Sequence, residues 1–242
     1  MNELLVVNPN TSAGVTALLR EHVQAEMGDR VRVRAVTARF GAPYIIDEAS
    51  YAVAGHAALD AWAAALRQSD TAPQAVLVGC FGDPGLLALR ESSPAPVTGL
   101  AEAAFIEASR HGPFAVVTGG ERWAPMLRRL AHALGHGDRL AGIETVVPTG
   151  ADLASDPAGA RVLLAQACRD AARKFDARAV IVGGAGLAGI AALIQPELEV
   201  PLVDSVRAGA RWALRAAPPV RDTAGFDVRW GHVSPEMEAL GR

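Results

Sequence analysis

The chain has 242 residues, half of them hydrophobic, with 23 basic and 26 acidic side chains and a formal net charge of −3 at pH 7. That length supports one large domain or two small ones around a substantial core, and the even mixing of charges argues against nucleic acid or a membrane surface as partner. No uncharged apolar run reaches the roughly 18 residues needed to span a bilayer.

The opening MNELLVVNPN lacks the basic stretch and small-residue cleavage site of an export signal and reads as a first strand. Its apolar part, Leu4–Val7, ends in Asn8-Pro9-Asn10-Thr11-Ser12, a polar turn that opens a helix over Ser12–Met27. Further β-branched runs follow at Val31–Thr37, Ala75–Val78, Phe114–Thr118, Ala141–Val147, Ala179–Val182 and Leu202–Val203. Alanine-rich stretches of helical period separate them at Ala49–Gln68, Trp123–Ala133 and Asp156–Phe175. Strands apolar on both faces, alternating with helices, predict an α/β fold with parallel sheets flanked by helices.

A repeat divides the chain. At an offset of 104, AVLVGCFGDPGLLAL from Ala75 and AVIVGGAGLAGIAAL from Ala179 agree at Ala75, Val76, Val78, Gly79, Gly82, Gly85, Ala88 and Leu89. Each copy is followed by a proline-led strand and a helix, from Pro96 and from Pro201, and each half opens on a strand, at Leu4 and at Phe114. The expectation is two pseudo-symmetric lobes: residues 1–100 with a return of 205–242, and residues 101–204.

The two cysteines, Cys80 in a glycine turn and Cys168 in a helical apolar pattern, form no disulfide framework, so free thiols and a cytoplasmic location are expected. Lys174 is the single lysine and sits in a helix beside Arg173, which speaks against a pyridoxal-phosphate Schiff base. His132 and His136 share a helix face without a third ligand nearby, so no metal is expected, nor any other cofactor.

Four turns end parallel strands: Asn8–Ser12, Gly79–Gly85, Thr118–Arg122 and Gly183–Gly189. Ligands bind at that end of open α/β sheets, and turns leading into helices offer backbone N–H groups to an anion. Four around one cleft suit a small carboxylate or the enolate formed when its α-proton leaves. Cys80 lies in such a turn, where a helix N-terminus would lower its pKa and make it a base or nucleophile. Cys168 reads as packed core. Gly184, Gly186 and Gly189 also spell a dinucleotide fingerprint with Asp204 about twenty residues on, a rival reading that the short following helix weakens.

The NPNTS opening, the GCFGDPG turn, Val116-Val117-Thr118 and the Gly183–Gly189 turn resemble the aspartate/glutamate racemase superfamily, in particular its hydantoin and allantoin racemase branch. The resemblance runs from the first strand to Asp204. It implies a cofactor-independent isomerase whose site lies between two lobes, with two cysteines on opposite sides of the substrate α-carbon. Cys80 matches the first of them. Asn10, Thr11, Thr118 and the backbone of Gly82 and Gly184 match positions that hold a carboxylate or ring carbonyl. The second cysteine is replaced by Gly184, the position the internal repeat also sets opposite Cys80.

The implied site is therefore Cys80 as acid/base, with Asn8, Asn10, Thr11, Phe81, Gly82, Asp83, Thr118, Gly119, Gly184 and Ala185 around a small carboxylate, hydantoin or ureide. Tyr44 is a further pocket candidate, and Asp83, Glu121 and an ordered water are the candidates for the missing acid. A one-base lyase or decarboxylase, in which Cys80 protonates an enolate as the lone thiol does in the similar arylmalonate decarboxylases, is an alternative. A non-catalytic binding protein is another. The alanine-faced helices are compatible with a homo-oligomer.

Overall fold

The computed structural model describes residues 2–69, 71–148 and 150–242. Two four-stranded parallel sheets carry the fold. The first contains β1 (Asn2–Asn8), β2 (Val31–Thr37), β3 (Ala75–Val78) and β4 (Val97–Gly99) in the order β2-β1-β3-β4. The second contains β5 (Phe114–Gly119), β6 (Leu140–Val146), β7 (Ala179–Gly183) and β8 (Leu202–Asp204) in the equivalent order β6-β5-β7-β8. The repeated sequence thus corresponds to β3 and β7, which pair with the first strand of their own sheet, Leu4 opposite Ala75 and Phe114 opposite Ala179. The α/β class and the two matched sheets agree with the sequence expectation.

Strand periodicity distributes the core. Leu4 and Val6 face one side of their sheet and Leu5 and Val7 the other, all fully buried. Burying each is worth about 1.5–3 kcal/mol. On the inner side, Leu4, Val6, Leu77, Phe114, Val116 and Ile181 join one cluster spanning both sheets. The helices α1 (Ala13–Met27), α4 (Leu100–Ser109), α5 (Trp123–Ala133) and α9 (Ser205–Ala213) fill it. The outer face of the first sheet is covered by α2 (Glu48–Arg67), α3 (Leu86–Ser92) and α10 (Pro235–Glu238), with Trp62 edge-on to Phe226. The outer face of the second is covered by α6 (Gly150–Ser155), α7 (Pro157–Lys174) and α8 (Ile190–Ile194). Cys168 is fully buried in that outer layer, as a core residue.

The caps fix where helices leave the strand ends. Ser12 Oγ accepts the Val15 N–H to start α1. Asp47 and Ser50 form a reciprocal capping box that starts α2 and holds the preceding loop. Asp204 accepts the N–H groups of Val206 and Arg207 at α9 and that of Gly189. Lys174 sits on the surface with Glu144 at 2.8 Å. Among the described residues no helix is long and apolar enough to cross a membrane, and no group of His, Cys, Asp and Glu is arranged to hold a metal.

Candidate active site

At the carboxyl ends of the two sheets lies a cavity of about 290 Å³, to which all four predicted turns contribute. The turn after β1 brings Asn10, the turn after β3 brings Gly79, Cys80 and Phe81, the turn after β5 brings Thr118 through Trp123, and the turn after β7 brings Gly183 through Gly186. Tyr44, Ile45 and Ile46 come from the loop between β2 and α2, and Val147 follows β6.

The first turn is braced from within. Asn8 is buried and its Nδ2 donates to Asn10 Oδ1 at 2.9 Å, to Ser12 O and to Thr16 Oγ1. Asn10 Oδ1 also accepts the Ser12 N–H. That oxygen is committed to the turn, so the Nδ2 group is what Asn10 can offer a ligand. Thr11 donates its N–H to Ala42 O, which ties the β2–α2 loop over the site. Neither Asn8 nor Thr11 lines the cavity.

The thiol turn is held by three close approaches. Phe81 lies against Gly183 so tightly that a side chain at 183 would enter its ring. Gly82, at φ +154°, lies under the Trp123 indole, and its carbonyl accepts the Tyr51 hydroxyl at 2.8 Å. Asp83, in the left-handed region at φ +52°, points away from the cavity and accepts the N–H groups of Ala101 at 2.9 Å and Glu102 at 2.8 Å, at the start of α4. Gly82 and Asp83 therefore shape the turn from behind and do not line the cavity. The N–H groups of Cys80 and Phe81 have no hydrogen-bond partner among the described residues, which leaves them as donors toward a ligand anion.

Thr118 is buried and donates its hydroxyl to Gly183 O at 2.7 Å, joining β5 to β7. Its oxygen keeps accepting capacity only. Gly119 lines the cavity beside it, and so do Gly184 and Ala185. Gly184 adopts φ +152° and donates its N–H to Ser205 Oγ at 3.2 Å. A Cβ there would sit 3.1 Å from Leu187 Cγ. Glycine is thus the residue this backbone accommodates.

Electrostatics correct one expectation. Cys80 does not sit at a helix start: α3 begins only at Leu86, and the turn between is closed by Asp83 N–H to Cys80 O at 3.1 Å. The thiol is 8% exposed, and burial, reinforced by the Asp83 carboxylate, pushes its pKa above the ordinary thiol range. Cys80 therefore rests as a thiol, a proton donor. Asp83 is itself pushed up to about 7 by burial, against the pull of the backbone N–H groups of Ala101, Glu102 and Gly82. Burial likewise raises Tyr51 to about 12. The dinucleotide reading loses its acidic partner, because Asp204 spends both oxygens on Gly189 and the α9 cap.

Sequence reading overlooked Tyr51, Trp123 and the Ile45–Ile46 pair. The apolar run Tyr44-Ile45-Ile46 in the loop before α2 is the one signal that pointed to the Ile45–Ile46 pair.

The family model described as Asp/Glu/Hydantoin racemase matches residues 4–213. The chain belongs to the Asp/Glu/Hydantoin racemase family. Among the curated relatives of this racemase-family chain, the hydantoin racemase of Paenarthrobacter aurescens is 31% identical over 217 residues, 87% of this chain and 89% of the relative. Among solved structures, the allantoin racemase from Klebsiella pneumoniae has a TM-score of 0.85 at 27% identity, over 100% of this chain and 99% of the other. That of Pseudomonas fluorescens has a TM-score of 0.86 at 26% identity, over 95% and 100%. The chain is thus an enzyme of a racemase family, an isomerase by fold and by sequence, and the resemblance read from its motifs is borne out.

Proposed function

We propose that the protein is a cofactor-independent racemase of the hydantoin racemase type, acting on a small carboxylate, hydantoin or ureide. It moves a proton at the carbon next to a carbonyl or carboxylate, with Cys80 as acid/base. The observation that carries this reading is the placement of Cys80, the one cysteine of the cavity lining. Cys80 and Phe81 both line that cavity, and their N–H groups are without a partner among the described residues. A substrate carbonyl bound to those donors carries negative charge better as its α-proton leaves, and charge developing against prearranged N–H groups is stabilised without reorganisation. Asn10 Nδ2 and the backbone of Gly119 and Ala185 complete the polar contacts. Phe81, Tyr44, Ile45, Ile46 and Val147 exclude water and surround the substituent on the α-carbon.

One observation favours a second reading. The thiol is held protonated by burial, and Gly184 carries no proton on the opposite side, an arrangement equally suited to a one-base lyase in which Cys80 protonates an enolate. The two readings separate in deuterated water. A racemase incorporates deuterium at the α-carbon of a single-enantiomer 5-substituted hydantoin and scrambles its configuration. The lyase leaves configuration intact and releases carbon dioxide from an α-substituted malonate. Protein that does neither contradicts both.

A further inference from the structure

We propose that Glu121 is the second acid/base of the cavity, working from the turn after β5 against Cys80 from the turn after β3. The inference rests on the proton-transfer reading above and names the group that takes the place of the absent second thiol.

The cavity lining contains few side chains able to gain or lose a proton: Cys80, Tyr44 and Glu121, with Arg122 as a fixed cation. Tyr44 enters on the loop after β2, from the same sheet as Cys80, so it does not supply the opposite side. Asp83 is buried behind the thiol turn with both oxygens on the α4 backbone. The Thr118 hydroxyl proton is committed to Gly183 O. Gly184 has no side chain, and its backbone does not accept one without strain. Glu121 comes from the turn of the second sheet and is solvent-exposed. It makes no hydrogen bond or ion pair with any described residue, since its neighbour Arg122 lies 3.6 Å from Asp47 instead.

The two groups are complementary at rest. Glu121 supplies a carboxylate base open to water, and Cys80 supplies a buried thiol acid. In one direction the Glu121 carboxylate takes the α-proton. The C–H electron pair moves into the carbonyl as an enolate, and the Cys80 thiol then gives its proton to the opposite face, leaving a thiolate and a neutral Glu121. The other enantiomer runs the same steps backwards from that second form. Solvent exchange at the exposed Glu121 and return of a proton to Cys80 reset the pair. No other reactant enters.

The test uses L- and D-5-benzylhydantoin in deuterated buffer, with a protein-free blank for spontaneous exchange, and follows α-deuterium by NMR and configuration by chiral chromatography. Wild type is expected to invert both enantiomers. Glu121→Gln is expected to lose inversion by about 100-fold or more, the usual loss on removing a general base, while keeping the wild-type melting temperature. In Cys80→Ser, exchange without inversion should survive from one enantiomer, through the exposed Glu121, and be lost from the other. Glu121→Gln that inverts within threefold of wild type, with Cys80→Ser inactive, overturns the role of Glu121 and leaves Cys80 in place. Equal loss of exchange from both enantiomers in Cys80→Ser also overturns it, since Glu121 alone should still serve one face. Wild type that exchanges neither enantiomer overturns both this inference and the racemase reading.

Discussion

Replacing Asp83 by asparagine isolates the contest that sets the charge behind the thiol turn. Two N–H donors at the start of α4 favour the carboxylate, whereas complete burial favours the acid, and burial wins to give a value of about 7. The unfolded value is near 3.8. A carboxyl whose folded pKa is raised contributes stability that is fully present below the unfolded value and is lost as pH rises through the folded one. Between pH 5 and pH 8 that loss is about 3 kcal/mol. Asparagine, which does not titrate and tolerates the left-handed turn, lacks it. Urea unfolding followed by circular dichroism should therefore show the variant gaining about 3 kcal/mol on wild type between pH 5 and pH 8, whatever the two differ by at pH 5. All other carboxyl groups cancel in that difference. Asparagine also removes the charge that opposes a Cys80 thiolate, so Cys80 should alkylate faster in the variant at pH 8. A wild-type-to-variant difference that is the same at both pH values within 1 kcal/mol would refute the reasoning. It would mean that the backbone donors, and not burial, decide the charge.

Three further outcomes follow from the same geometry. Gly183→Ala places a methyl in the Phe81 ring and should destabilise by about 1–3 kcal/mol; adding Phe81→Leu should recover at least 1 kcal/mol in a double-mutant cycle measured by denaturant unfolding. Tyr51→Phe removes the hydroxyl bond to Gly82 O and should cost about 1 kcal/mol, seen as a fall of about 2–4 °C in melting temperature. Iodoacetamide should label native Cys80 at pH 7 at least tenfold more slowly than a free thiol of ordinary pKa, with the rate still climbing above pH 9, while fully buried Cys168 stays unlabelled until unfolding; mass spectrometry distinguishes the two.

The frame of the fold was legible because it rests on local patterns. Strands such as Ala75–Val78 are apolar on both faces, and their copies at Ala179 announce the second sheet before any coordinate is known. Cys80 and the four turns were legible for the same reason, since a glycine turn after a buried strand has few other meanings. Side-chain direction was not. Asp83 sits two residues before Gly85 and reads as a ligand or cap of the next helix, yet its carboxylate crosses to α4, a contact eighteen residues distant. The environment of Cys80 also escaped, because burial is a sum over Leu19-side, Phe81 and inner-layer packing that no local motif encodes. Tyr51 and Trp123 look like ordinary helix residues. Only their approach to Gly82 across the site reveals what they hold.

The central claim is that the Cys80 thiol exchanges the α-proton. Its most direct measurement compares wild type with Cys80→Ser for loss of optical activity and uptake of deuterium from a single enantiomer of a 5-substituted hydantoin. A folded Cys80→Ser protein should lose at least 100-fold in racemisation. A variant that racemises at the wild-type rate would contradict the account, because the proton would then be moving through a different group.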